Sequence, residues 1–153
     1  MARFQEELPS DLIKEFEGLE KDCKKIFGEM AEAGARVVHA NVLKNMKNAF
    51  ESTRSLEKGL KITKIYHTPS DDAINVFVGF YGYDTDSKPT QRHPKGTPIE
   101  LIALAREYGT SITHKNGKRK EHEAKKPFLR KSFKKKEIED AMQKVQDKYI
   151  KGD

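Results

Sequence analysis

The sequence predicts an α+β fold: a long N-terminal helix, a small antiparallel β-sheet, a short middle helix and a C-terminal helix. Three observations predict it. Apolar residues recur at helical spacing near both ends of the chain, a period-two alternation occupies residues 74–80, and a helix-opening signal at residue 97 is followed by a glycine stop at 109.

Leu12, Phe16, Leu19, Cys23, Ile26 and Met30 alternate steps of four and three, which places them on one helical face, and Ile13 and Phe27 widen the stripe. Ser10 and Asp11 suit a cap and Pro9 an extended entry. The pattern continues less cleanly through Ala33, Val37, Asn41 and Met46. Gly18, Gly28 and Gly34 lower helix propensity along the way, so a kink is expected near Gly34. Cys23, at an apolar position, reads as a buried thiol.

Residues 51–59 turn polar. Residues 60–66 then form a short strand-prone run, 68–72 a turn, and Ile74, Val76, Val78 and Phe80 a strand with one buried face. The two runs should pair as an antiparallel hairpin. Residues 81–96 are rich in Gly, Asp, Ser, Pro and Thr and read as an exposed loop.

Thr97-Pro98-Ile99-Glu100 carries a Thr cap, a first-turn proline and a capping-box glutamate. Leu101, Ile102, Leu104, Ala105 and Tyr108 supply the apolar face of the helix that follows, and Gly109 stops it by taking a left-handed conformation. Residues 115–126 are almost devoid of apolar side chains and read as a mobile loop ended by Pro127. Phe128, Leu129 and Phe133 are the expected core anchors of the return. Ile138, Ala141, Met142, Val145 and Tyr149 mark the inner face of a terminal helix.

The length of 153 residues fits one domain over residues 1–153, with flexible loops near 81–96 and 111–126. Only 35% of residues are hydrophobic and another 35% are charged, lean for a chain that must offset its own entropy, so neighbouring subunits are expected to supply part of its stability. No run approaches the roughly 18 apolar residues of a membrane span, and residues 1–10 lack a signal-peptide pattern, so a chain that stays in a cytoplasm is expected. Lys and Arg against Asp and Glu number 10 to 11 over residues 1–59, 6 to 6 over 60–110 and 14 to 7 over 111–153. The basic excess is confined to the last third, where a polyanion or an acidic protein surface is the natural partner.

Two segments carry a resemblance. Ala103-Leu104-Ala105-Arg106-Glu107-Tyr108-Gly109-Thr110 is followed by Lys126-Pro127-Phe128-Leu129-Arg130-Lys131-Ser132-Phe133. These resemble the paired signatures of the neck, or tail-completion, proteins that join head to tail in long-tailed bacteriophages: a Glu-aromatic-Gly-Thr run closing a helix, and a Pro-Phe-Leu/Met-Arg run opening the last one. Ala-Gly-Ala-Arg-Val-Val at 33–38 is similar to the family's first helix. Lys131 stands where the family usually has a second proline, and residues 52–56 replace its Pro and Thr-Gly-x-Leu run before the first strand.

The resemblance implies a structural virion protein without enzymatic activity or cofactor. It further implies a homo-oligomeric ring, expected to be a hexamer, between a head-closure ring and a tail-terminator ring. Such a ring bounds the channel for the genome DNA and reaches the virion neck from the host cytoplasm. Glu107, Tyr108, Gly109, Thr110, Pro127, Phe128 and Leu129 are the motif residues. The candidate assembly or channel contacts are Lys115, Lys118, Arg119, Lys120, Lys125, Lys126, Arg130, Lys134, Lys135 and Lys136.

Other chemistry is thinly represented. There is no phosphate-cradling glycine pattern and no His-Glu-x-x-His, and the lone Cys23 rules out an internal disulfide framework or a cysteine-rich zinc site. Histidines 39, 67, 93, 114 and 122 are scattered, and Asp71-Asp72 and Asp84/Asp86 sit in turn-like sequence. The alternative reading is a small basic nucleic-acid-binding protein, because residues 115–136 hold eleven Lys or Arg against two Glu.

Overall fold

The computed structural model describes residues 10–151 other than 52–53, 71, 85, 87–88 and 114–118; the side chains of 10–13, 15–17, 111–113, 119–123 and 151 are also outside the described set. The chain is α+β, with a long N-terminal helix, short antiparallel ladders, a middle helix and a C-terminal helix.

Helix α1 (Ser10–Ala49) runs 40 residues without a break at Gly34. That glycine is a contact point rather than a joint. A Cβ there would lie 3.1 Å from Ile138 Cγ2 and 3.6 Å from Met142 Cγ, so the missing side chain lets the C-terminal helix approach the backbone of α1 closely. The caps expected at Pro9, Ser10 and Asp11 lie outside the described residues or side chains.

Burial along α1 reverses the expectation from its sequence. Among the described side chains of the clean stripe, Leu19 is 56% and Phe27 55% accessible, Cys23 is exposed rather than buried, and Ile26 and Met30 are half-buried; Leu12, Ile13 and Phe16 lie outside the described set. The core comes from the less regular half, where Val38, Val42, Met46 and Phe50 follow one another at steps of four. The physical reason is coverage. The other elements enclose the second half of α1 and touch the first half along one side only, as at Lys24 and Gly28.

Helix α2 (Arg54–Gly59) occupies the segment read as a polar joint, and its one large apolar residue, Leu56, is buried in the core. A single apolar side chain leaves no periodicity to detect. Strands β1 (Leu60–Ile62) and β2 (Tyr66–Thr68) then pair antiparallel with β3 (Ala73–Asn75) and β4 (Val78–Phe80), in the order β1 with β4 and β2 with β3. The expected hairpin is thus present but broken. Leu60 faces Phe80 and Tyr66 faces Asn75, a slip of one residue, and the Thr63 N–H donates to the Phe77 carbonyl at 2.9 Å. Lys64 and Ile65 therefore oppose the single residue Val76, as in a β-bulge. Tyr66 and Phe77 stack at 5.4 Å across the break.

Strand β5 (Tyr83–Asp84) pairs with β6 (Thr97–Pro98), so the segment read as a loop is pinned at both ends. This pairing draws Thr97 into a strand. Helix α3 (Ile99–Tyr108) consequently takes Pro98 as its cap residue, one position beyond the expected Thr cap, and the Ile99 N–H donates to the Gly82 carbonyl at 3.0 Å. Its buried face is Ile99, Ala103 and Glu107, while Leu101, Leu104 and Tyr108, expected to face inward, are exposed. Gly109 ends the helix with a positive φ of 77° but an extended ψ of 168°, a conformation open to glycine.

The segment read as a mobile loop contains a second hairpin. Strand β7 (Thr110–Thr113) pairs with β8 (Arg119–Glu123), with an irregularity between Thr110 and Ser111. The sequence signal for it was Asn116-Gly117, a dipeptide favoured between hairpin strands, which lies outside the described residues. A 3-10 turn at Arg130–Ser132 leads into helix α4 (Lys135–Lys151), which packs along α1 with Ile138, Ala141, Met142 and Val145 half-buried as expected, while Tyr149, the last of the expected stripe, is exposed. Phe128 is fully buried at the centre, edge-on to Phe50 at 5.4 Å and to Phe80 at 6.1 Å. Phe133, expected as a core anchor, is instead 67% accessible, because the 3-10 turn rotates it away from Phe128.

Candidate functional site

The two signature segments, about twenty residues apart, meet at one carboxylate. Glu107 lies on the inner face of α3 with a side chain only 1% accessible. It accepts hydrogen bonds from the main-chain N–H of Phe128 at 2.6 Å, of Leu129 at 2.8 Å and of Arg130 at 3.5 Å, and from Arg130 Nε at 3.1 Å. These N–H groups open the 3-10 turn and have no partner within it, so the carboxylate does for the turn what a capping side chain does for a helix.

Burial taken alone raises the pKa of Glu107. The N–H groups of Leu129 and Phe128, joined by the side chain and N–H of Arg130, outweigh it and hold the carboxyl below its ordinary value of 4.5. Tyr108, next in the chain, places its ring under the Arg130 guanidinium at 5.4 Å, and the Lys126 N–H donates to the Arg106 carbonyl at 2.8 Å. Pro127, between them, has no N–H to satisfy. The hydroxyl oxygen of Thr110 is buried with no hydrogen-bond partner among the described residues.

A second grip comes from α1. Ser132, fully buried, donates from Oγ to the Phe128 carbonyl at 2.6 Å and accepts from Asn45 Nδ2 at 3.0 Å. Asn41 Nδ2 reaches Glu137 Oε2 at 2.8 Å and the Ser132 carbonyl at 3.4 Å. The segment from Pro127 to Ser132 is therefore held between α3 and α1. Sequence reasoning did not find this: Ser132 stood unremarked, and Asn41 was counted within an apolar stripe. An amide at a core-facing helical position was the available signal, since a buried amide requires a partner.

The basic candidates fall into two groups. Lys115 and Lys118 lie outside the described residues, and Arg119 and Lys120 are in β8 with side chains outside the described set. Lys125 is exposed and Lys126 half-buried. The second group surrounds the 3-10 turn and the start of α4. Arg130 is engaged with Glu107, Lys134 pairs with Glu137 at 2.9 Å, Lys135 pairs with Glu139 at 3.6 Å, and Lys136 is exposed. The two lysine pairs are solvent-exposed, where an ion pair contributes little to stability.

Among the described residues no three His, Cys, Asp or Glu side chains stand together as a metal site would need, and no helix is long and apolar enough to cross a membrane. Fold and site together define an α+β chain whose last third is latched to its middle helix by a buried carboxylate. No family model, curated protein or solved structure matches the chain.

Proposed function

We propose that this chain is a structural subunit of a phage neck, a non-enzymatic ring protein joining the head-closure complex to the tail and bounding the DNA channel. The observation that carries the reading is the joining of the two signature segments into one physical unit: Glu107 and Tyr108 bind the Phe128–Arg130 backbone and side chain. Two features support a life in an assembly. Leu19, Cys23 and Phe27 leave an apolar stripe uncovered on α1, and Leu101, Leu104 and Tyr108 leave another on α3. The basic hairpin of β7 and β8 packs chiefly on itself, which suits an arm that reaches a neighbour or the passing genome.

The test is genetic. A phage lacking this gene should accumulate DNA-filled heads and separate tails in electron micrographs, and supplying the chain in trans should restore joined particles. Joined, infectious particles without the gene would refute the proposal.

The same hairpin favours a second reading, a small nucleic-acid-binding protein that presents a β-ribbon to a groove. In that case the purified chain stays small and retards DNA on a gel with a steep salt dependence.

A further inference from the structure

We infer that the acidic tip of α1 from one copy docks into an apolar groove on the next copy, flanked there by the cations of residues 130–136. This rests on the ring reading and names the surfaces that would build the ring.

The groove, of about 320 Å³, lies where α4 and the first hairpin diverge from α1. Its floor is Ala31, Gly34 and Ala35 of α1, and its walls include Val76 and Met142. Phe77 and Phe133 stand on its two rims, 49% and 67% accessible. Two aromatic rings held at the mouth of an apolar groove are costly to leave in water, and Phe133 is fixed there by the latched turn just before it.

The complementary element is the first part of α1. Tyr149, near the end of α4, has its hydroxyl pKa raised chiefly by a hydrogen bond with Glu29, then by burial and by the charges of Glu29 and Asp22, so the end of α4 lies beside residues 22–29 of α1. Residues 18–23 are all exposed, and nothing lies within 4 Å of a Cβ built on Gly18. The stretch from residue 18 to residue 23, about 8 Å at 1.5 Å per residue, is therefore solvent-facing. Leu19 and Cys23 are exposed on it, and Leu12 and Phe16 continue the same spacing in the sequence.

Charge decides which surface the tip meets. Residues 10–22 carry five acids (Asp11, Glu15, Glu17, Glu20, Asp22) against Lys14 and Lys21, a net of −3. Residues 130–136 beside the groove carry five cations and no acid, and including Glu137, Glu139 and Asp140 still leaves +2 over 130–140. Pairing two α1 tips would oppose acid to acid, whereas tip into groove opposes acid to base. The contact uses different surfaces on the two copies, the head-to-tail kind that closes into rings when its rotation permits.

The experiment uses the full chain and two variants, Leu19→Glu on the tip and Phe133→Glu on the groove rim. Both positions are exposed, so circular dichroism should match the parent. Sedimentation at increasing concentration should show the parent self-associating and each variant alone weakened at least tenfold. An equimolar mixture of the two variants should give one-to-one pairs and nothing larger, because each pair then contains one intact tip against one intact groove. Variants that associate as the parent does, a mixture that stays unpaired, or a parent that remains monomeric at every concentration would each overturn the assignment. The neck reading is judged separately by head–tail joining in the gene-deleted phage. Failed joining there, together with undiminished association of the variants, would remove this interface and leave the neck reading standing.

Discussion

Glu107 can stay ionised in the interior because three main-chain N–H groups and a guanidinium converge on it; without them burial would favour the neutral acid. Since its folded pKa lies below the unfolded value, the stability it contributes is complete above about pH 4.5 and is lost as pH falls through the folded value. Urea unfolding of Glu107→Gln at pH 7 should show a loss of about 2–3 kcal/mol, because Gln keeps one acceptor and turns an amide toward N–H donors. Repeated between pH 3 and 6, the same measurement should show a shallower pH dependence than the parent's. An unchanged slope would mean that the carboxylate is not the group holding the turn. Phe128→Ala, which empties the fully buried centre between Phe50 and Phe80, should cost about 3–5 kcal/mol by the same assay.

Helix α1 shows how far periodicity carries and where it stops. The spacing from Leu12 to Met30 identifies the helix, yet the buried thiol that it suggests at Cys23 is exposed. Periodicity reports that a face is apolar and does not report what covers it. The covering elements arrive later in the chain and enclose chiefly the second half of α1, reaching Gly28 and Lys24 only along one side, so Leu19, Cys23 and Phe27 stay open while Val42 and Met46 are fully enclosed. Chemical denaturation separates the two halves: Met46→Ala should cost about 2–5 kcal/mol, and Leu19→Ser should change stability by no more than about 0.5 kcal/mol. Equal losses at both positions would contradict the burial described. The first hairpin, α3 and α4 were legible from alternation, Gly109 and the 138–149 stripe, and the bulge at Lys64 and Ile65 was not, since it depends on a one-residue slip between strands. The hairpin of β7 and β8 was missed because its charged composition masked the Asn116-Gly117 turn signal. At the candidate site the motif residues were legible only by resemblance. The burial of Glu107 was not, because a glutamate on an inner face contradicts ordinary patterning until its N–H partners, twenty residues on, are in place.

For the molecule as a whole, the proposed neck role requires both the latch and the basic run. Replacing Lys118, Arg119, Lys120, Lys134, Lys135 and Lys136 by Gln, the last three of them exposed, should leave the thermal midpoint within a few degrees of the parent. Head–tail joining by that variant should fall sharply. Normal yields of infectious, DNA-retaining particles from a folded variant would mark the basic run as a solubility feature. The central claim is tested most directly by reconstitution: extracts of heads and tails made without this gene are mixed with the purified chain, and plaques are counted. The account predicts infectious particles in proportion to added protein until joining saturates, and no rescue by the Glu107→Gln, Phe128→Ala double variant. Plaque counts that do not respond to the added chain, in extracts whose heads and tails are otherwise competent to join, would contradict it.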